Sequence, residues 1–213
     1  RSAEEDRAVL NLGGIANLTV LPAAPDRPVI GFDSGPANCL MDLWVREQRG
    51  RPCDDGGRWA ASATPAPKLL ARLLDDPYFA LPPPKSTGTQ YFSRRWLHQR
   101  LAGLESLTPA TVQATLLALT LTTVADAIER HAPSCQRVLV CGGGVDNAAL
   151  VARLAQRLAR PVESTAGHGI DPRWMEPMAF AWLAQRTLQG LPGNLPSVTG
   201  AAGARILGTV HPA

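Results

Sequence analysis

Six places in the chain carry residue types that could do chemistry. Asp33 stands in GFDSGPAN (31–38) at the end of an apolar run. A carboxylate at such a strand end can serve as a general base for a nucleophile within hydrogen-bond reach. Two glycine turns also follow apolar runs: Gly13-Gly14 in VLNLGGIAN (9–17) and Gly142-Gly143-Gly144 in VLVCGGGVDN (138–147). Glycines there let a ligand approach the backbone, and free amides can bind phosphate oxygens. Asn11 precedes the first turn, and Asp146 and Asn147 follow the second. Glu176 lies among Trp174, Met175 and Met178. Lys85, one of only two lysines, opens Lys85-Ser86-Thr87-Gly88, and His168 sits between Gly167 and Gly169.

Each feature also has a structural explanation. Asp33 could cap the turn through Ser34-Gly35. Gly13-Gly14 could be a hairpin turn with positive φ, and Gly142–Gly144 could only permit a close strand–helix connection. Glu176 could complement a helix dipole, and Lys85 could be a solvated loop lysine. The two glycine turns close neighbouring strands, and that pairing favours a ligand-binding cleft. Neither turn matches a GxGxxG fingerprint, and no P-loop Gly-Lys-Ser/Thr is present.

The remaining composition narrows the function classes. Hydrophobic residues make up 45% of 213, enough for a sizeable core. The net charge of +3 is spread out, with no basic patch for nucleic acid. Cys39, Cys53, Cys135 and Cys141 form no CxxC pair, which points to a reducing compartment and to no metal site. No apolar run is read as a membrane span. The start, RSAEEDRAV, has no signal pattern and no initiator Met, and is read as the cut edge of something longer.

The elements that must position these residues follow from periodicity and punctuation. Residues 9–12, 15–21 and 29–32 read as an antiparallel set of strands, broken at Asp33-Ser34-Gly35-Pro36. A helix is expected over 38–47, ended by Gly50. Residues 51–107 read as a loop-rich insertion with short helices at 68–74 and 94–101. Thr108-Pro109 starts a long, apolar helix to about His131, expected to be buried on several sides. Residues 138–141 read as a central parallel strand. A helix capped by Asp146, a short strand at 161–164, and a helix over 177–189 with Pro177 in its first turn complete the set. The order gives an α/β class: a ribonuclease-H-like mixed five-stranded sheet with helices on both faces.

LNLGGIAN, GFDSGPAN, PKSTG followed by YF, CGGGVDN, the GID-to-MAFAWLA segment and NLPSVTGA occur in this order. Together they resemble the C-terminal half of anhydro-N-acetylmuramic acid kinases, in the superfamily of sugar kinases, heat-shock ATPases and actin. The resemblance implies one lobe of a two-lobe kinase spanning 1–213, with the N-terminal lobe and its Gly-Thr-Met-Ser-Gly loop absent. It implies a bacterial cytoplasmic enzyme of peptidoglycan recycling that uses ATP and Mg2+. Such an enzyme opens the 1,6-anhydro ring of its sugar by hydrolysis and phosphorylates O6. Asp33 would then be the base that activates water. Asn11, Gly13 and Gly14 would sit at the ATP phosphates. Gly142, Gly143, Gly144, Asp146 and Asn147 would border the adenosine, and Glu176 would contact the sugar. The resemblance also allows a homodimer.

Three departures stand out. Ser34 and Ala37 replace the family's Thr and Gly, Pro177 follows Glu176, and His168 replaces a residue that is commonly acidic or polar. The alternatives are a non-catalytic nucleotide-binding or dimerisation module of the same fold, and another phosphotransferase of the superfamily.

Overall fold

A computed structural model describes residues 1–211. Its centre is a five-stranded sheet in the order β3-β2-β1-β4-β5, built from β1 (Arg7–Leu12), β2 (Ile15–Leu21), β3 (Ile30–Pro36), β4 (Arg137–Cys141) and β5 (Val162–Ser164). β2 runs antiparallel to both of its neighbours, β1 and β3, whereas β4 runs parallel to β1 and β5 parallel to β4. The mixed sheet expected from the element order is the one found.

Strand alternation decides which face is the core. Ala8, Leu10 and Leu12 of β1 and Ala16, Leu18 and Val20 of β2 are buried, while the residues between them are only half-buried. Helices α1 (Asn38–Arg49) and α6 (Pro109–His131) complete the core on the buried face, and α6 packs along β2, β3, α1 and α7 (Ala148–Leu158). The other face carries less cover. There α9 (Pro196–Thr199) lies on β3, where Gly31 admits it: a Cβ at Gly31 would stand 2.7 Å from Val198 Cγ1.

α6 begins as its sequence directs. Thr108 caps it by accepting from the Thr111 amide at 3.2 Å, and Pro109 occupies the first turn. It is long and apolar enough to cross a membrane by length and composition, against the reading of the sequence. However, 78% of its apolar window is buried in this fold, the setting of a core helix.

Residues 51–107 are more ordered than a loop-rich insertion. They form α2 (Arg58–Ala61), α3 (Pro67–Leu74), α4 (Pro77–Ala80) and α5 (Arg94–Leu101), and they send Trp59, Leu69, Leu73, Tyr78, Phe92, Trp96 and Leu97 into the core. Their organising group is Asp76, 5% exposed. Its carboxylate accepts from the Tyr78 amide at 2.9 Å, Tyr91 OH at 2.9 Å, Trp96 Nε1 at 2.8 Å and Arg100 at 2.5 Å.

Candidate functional site

β3 does not break at Asp33. It continues to Pro36, because a bulge opposite Ala16/Asn17 absorbs one extra residue. Asn17 pairs with Asp33 and Ala16 with Gly35, so Ser34 is the unpaired residue, and its hydroxyl donates to Ala16 O at 3.3 Å. Gly35 takes φ +153 at this irregularity, and a Cβ there would meet Phe79 at 2.8 Å.

Register then sets a polar row across the open face. Asp33 stands opposite Asn17, and Asn17 opposite Asn11. Asn17 Nδ2 donates to Asp33 Oδ1 at 2.9 Å, and Asn11 Nδ2 donates to Glu176 Oε1 at 3.1 Å. Glu176 lies in the first turn of α8 (Met175–Leu188), as its sequence context suggested. The row thus places Asp33 and Glu176 on either side of two asparagines that face each other across β1 and β2. Asn17 was not among the residues singled out by sequence. Its signal is the NLGGIAN symmetry that places one Asn on each side of the hairpin.

Asp33 is half-buried and firmly oriented. Ser86 Oγ donates to its Oδ2 at 3.0 Å and the Thr87 amide at 2.9 Å, while Tyr78 OH donates to its carbonyl at 2.7 Å. An ionised carboxylate offers about four acceptor positions. Three are filled here, two of them on Oδ2, so the remaining one is on Oδ1. A cleft of about 400 Å³ opens beside it, lined by Asn17, Gly31, Asp33, Ser86, Val198 and Thr199. Ser86 and Thr87 were visible in sequence only as neighbours of Lys85. Lys85 itself turns away, its ammonium donating to Tyr78 O at 3.2 Å and Phe79 O at 3.4 Å. His168 pairs with Glu163 at 3.2 Å, away from this row.

The three turns interlock. Asn38 and Cys39 donate their amides to Gly13 O and Gly14 O, both at 3.1 Å, and Ala37 donates to Gly14 O at 3.0 Å. These carbonyls cap α1, whose Ala37 supplies no side-chain cap. Ala37 has φ −110, so the position does not take the positive φ that would call for glycine. Asn38 Nδ2 donates to Leu12 O and Gly13 O, both at 2.8 Å, and so pins the first glycine turn to the helix. Gly13 and Gly14 do not adopt the positive φ expected of them. What Gly14 provides is room, since a Cβ there would lie 3.2 Å from Thr89. Among the described residues neither amide of this pair donates within the protein.

In the second turn Gly142 has φ +80, and a Cβ there would stand 2.2 Å from Asn11 Oδ1; at Gly144 one would stand 2.5 Å from Leu12 Cβ. Both glycines seat the turn against β1, while Gly143 is exposed with open space beside it. The cap of α7 is Asn147, not Asp146. Asn147 Oδ1 accepts from the Leu150 amide at 3.0 Å, and Asp146 instead pairs with Arg173 at 2.5 Å. An asparagine at the position next to the helix reaches its amides; the aspartate one residue earlier lies within a 3-10 turn. Between this turn and α1 lies a cavity of about 560 Å³ lined by Asn38, Asp42, Asp54, Gly143, Asp146 and Arg173, among others.

The sequence profile described as Anhydro-N-acetylmuramic acid kinase matches residues 1–213. The chain belongs to the anhydro-N-acetylmuramic acid kinase family. Proteins of that name are 58% identical in Xanthomonas campestris pv. campestris, 54% in Xylella fastidiosa and 52% in Burkholderia vietnamiensis, over 98–100% of this chain. The chain spans about 56% of the length of these family members. The fold is also similar to the activator of the 2-hydroxyisocaproyl-CoA dehydratase from Clostridium difficile, with a TM-score of 0.50 at 13% identity over 80% of this chain and 56% of that one. This likeness agrees with the expected fold class.

Proposed function

We propose that this chain is one lobe of an ATP-dependent kinase that opens 1,6-anhydro-N-acetylmuramic acid and phosphorylates it to N-acetylmuramate 6-phosphate, in bacterial cytoplasmic recycling of peptidoglycan. The observation that carries the reading is the row Asp33–Asn17–Asn11–Glu176 running past the Gly13-Gly14 turn on the less covered face of the sheet. The family match supports the same reading.

In this reading Asp33 is the general base. Asn17, Ser86 and Thr87 fix its carboxylate, and the vacant position on Oδ1 receives the proton of the attacking water. Asn11 holds Glu176 toward the sugar. ATP supplies the phosphoryl group when bound. Its phosphates fit the free amides of Gly13 and Gly14, and the exposed backbone at Gly143 borders the nucleoside. The cavity beside Gly143 is rich in carboxylates, so it suits hydroxyl and amine donors and repels phosphate. The residues therefore separate the two ends of a nucleotide. Among the described residues no three His, Cys, Asp or Glu side chains converge as a metal site. Mg2+ here would be held chiefly by phosphate and water, a usual arrangement for this ion.

One lobe leaves the cleft open on one side, and kinases of this plan exclude water by closing two lobes. The uncovered apolar face of α8 supports a partner surface beside Glu176. The test joins the chain to the remaining length of a family member and replaces Asp33→Asn. Sugar phosphorylation should fall by about 10²–10⁴, the usual worth of a general base, while binding of a non-hydrolysable ATP analogue is kept. Normal turnover in that variant would remove Asp33 from the role.

A further inference from the structure

Behind β3, on the face opposite Asp33, a cavity of about 190 Å³ is lined by Phe32, Ser34, Thr123, Lys85, Arg130 and His131, among others. Three nitrogen bases converge on it from two separate segments. Phe32 stands between two of them: the His131 ring meets it edge-on at 4.9 Å, and Lys85 Nζ lies 6.0 Å from its centroid. The Lys85 ammonium has three donors and spends two on the carbonyls of Tyr78 and Phe79, leaving one. Arg130 is exposed and makes no hydrogen bond or ion pair among the described residues. The acid at the rim, Asp126, stands 3.9 Å from Arg157. The last turn of α6 carries partial negative charge, which Arg130 offsets, so Lys85 is in excess.

Among the described residues neither Lys85 nor Arg130 has a carboxylate within ion-pair distance, although Asp126 also lines the cavity. Burial lowers the Lys85 pKa and Arg130 lowers it further; burial, then Arg130 and Lys85, lower that of His131. An anion seated among them would relieve this repulsion. The volume admits a small tetrahedral anion and a short substituent.

We propose that this cavity is a binding site for a small phosphate dianion, either inorganic phosphate or the phosphoryl end of a small monoester, connected to the Asp33 loop through Lys85. The connection is short. Lys85 O accepts the Asp33 amide at 3.1 Å, and the next two residues, Ser86 and Thr87, hold the Asp33 carboxylate. Binding does not depend on the kinase reading; only the consequence for Asp33 rests on it.

The test is an NMR titration of the 213-residue chain with inorganic phosphate at low ionic strength, and in parallel with glycerol 3-phosphate. Saturable shifts at Phe32, Thr123, His131 and the Thr87 amide are expected, and Arg130→Gln should weaken the affinity by about tenfold through loss of one charged hydrogen bond. Tighter binding of glycerol 3-phosphate identifies the monoester as the ligand class, and equal or weaker binding identifies the free ion. Unchanged affinity in R130Q, or shifts confined to Gly13, Gly14 and Gly143, would overturn the proposal.

Discussion

Asp42 lines the cavity beside Gly143 and is half-buried there. Burial pushes its carboxyl up to about 6, with Arg46 opposing the rise and Asp54 adding to it. The sign of the stability effect follows. Below the ordinary value of 3.8 the group is protonated in both folded and unfolded chains and costs nothing. Between 3.8 and about 6 the unfolded chain ionises first, so folding loses stability as pH rises, and the loss is complete above 6. Asp42→Asn should therefore raise the melting temperature at pH 7.5 and leave it unchanged at pH 3. A gain equal at both pH values would assign the effect to packing instead. If the cavity takes a donor-rich nucleoside, the same variant also weakens nucleotide-analogue binding. None of this was legible in the sequence, where Asp42 is one acid on a helix. The glycine turns were legible because strand–glycine junctions mark strand ends; Asp33 was legible as a carboxylate on an apolar strand, although the strand runs on past it. Asn17 and Asn38 were not, because their roles arise from pairing register and from carbonyls of another segment.

At the scale of elements, the segment between α1 and α6 shows how far composition misleads. Its prolines and glycines suggest loops, yet one buried carboxylate gathers four donors and makes a compact lid of α4 and α5. The helices α3 and α5 were legible locally; α4 and the packing of the segment were not, because tertiary hydrogen bonds order them. The order reaches the site, since Asp76 caps the turn that carries Tyr78, and Tyr78 OH binds the Asp33 carbonyl. Asp76→Ala leaves Arg100, Trp96 and Tyr91 without their acceptor. The expected loss is about 3–5 kcal/mol in chemical denaturation, the range for orphaning a buried charge. Amide exchange should rise across α4, α5 and the Ser86–Thr87 loop, while α7 and β4 keep their protection. Uniform loss of protection would mean that the segment is no separate unit. The strands and α6 needed no such rescue: their alternation, caps and apolar lengths point to the same structure at every level.

At the scale of the whole molecule, α8 is the feature that the rest of this chain does not explain. It has no buried residue, and Trp174, Phe180, Trp182 and Leu188 are 50–75% exposed. A stretch this apolar is ordinarily covered. The family members are almost twice as long as this chain, and Glu176 in the first turn of α8 accepts from Asn11 of the polar row, so a segment covering α8 would stand beside that row. The five tryptophans make this measurable. Trp44, Trp59 and Trp96 are buried at 6–8% exposure, which leaves Trp174 and Trp182 as the solvent-exposed emitters. The chain alone should show a red-shifted, readily quenched emission component that W174F/W182F removes. In a protein carrying the full length of the family, that component should shift to the blue and resist quenching. If it stays red and quenchable there, the second lobe does not cover α8. If it turns blue in the short chain as its concentration rises, a second copy of this chain is the cover, and the dimerisation reading gains over the two-lobe one. In the two-lobe case Phe180→Asp in the full-length protein should restore the exposed signal and lower turnover together, because the same contact seats the helix and closes the cleft.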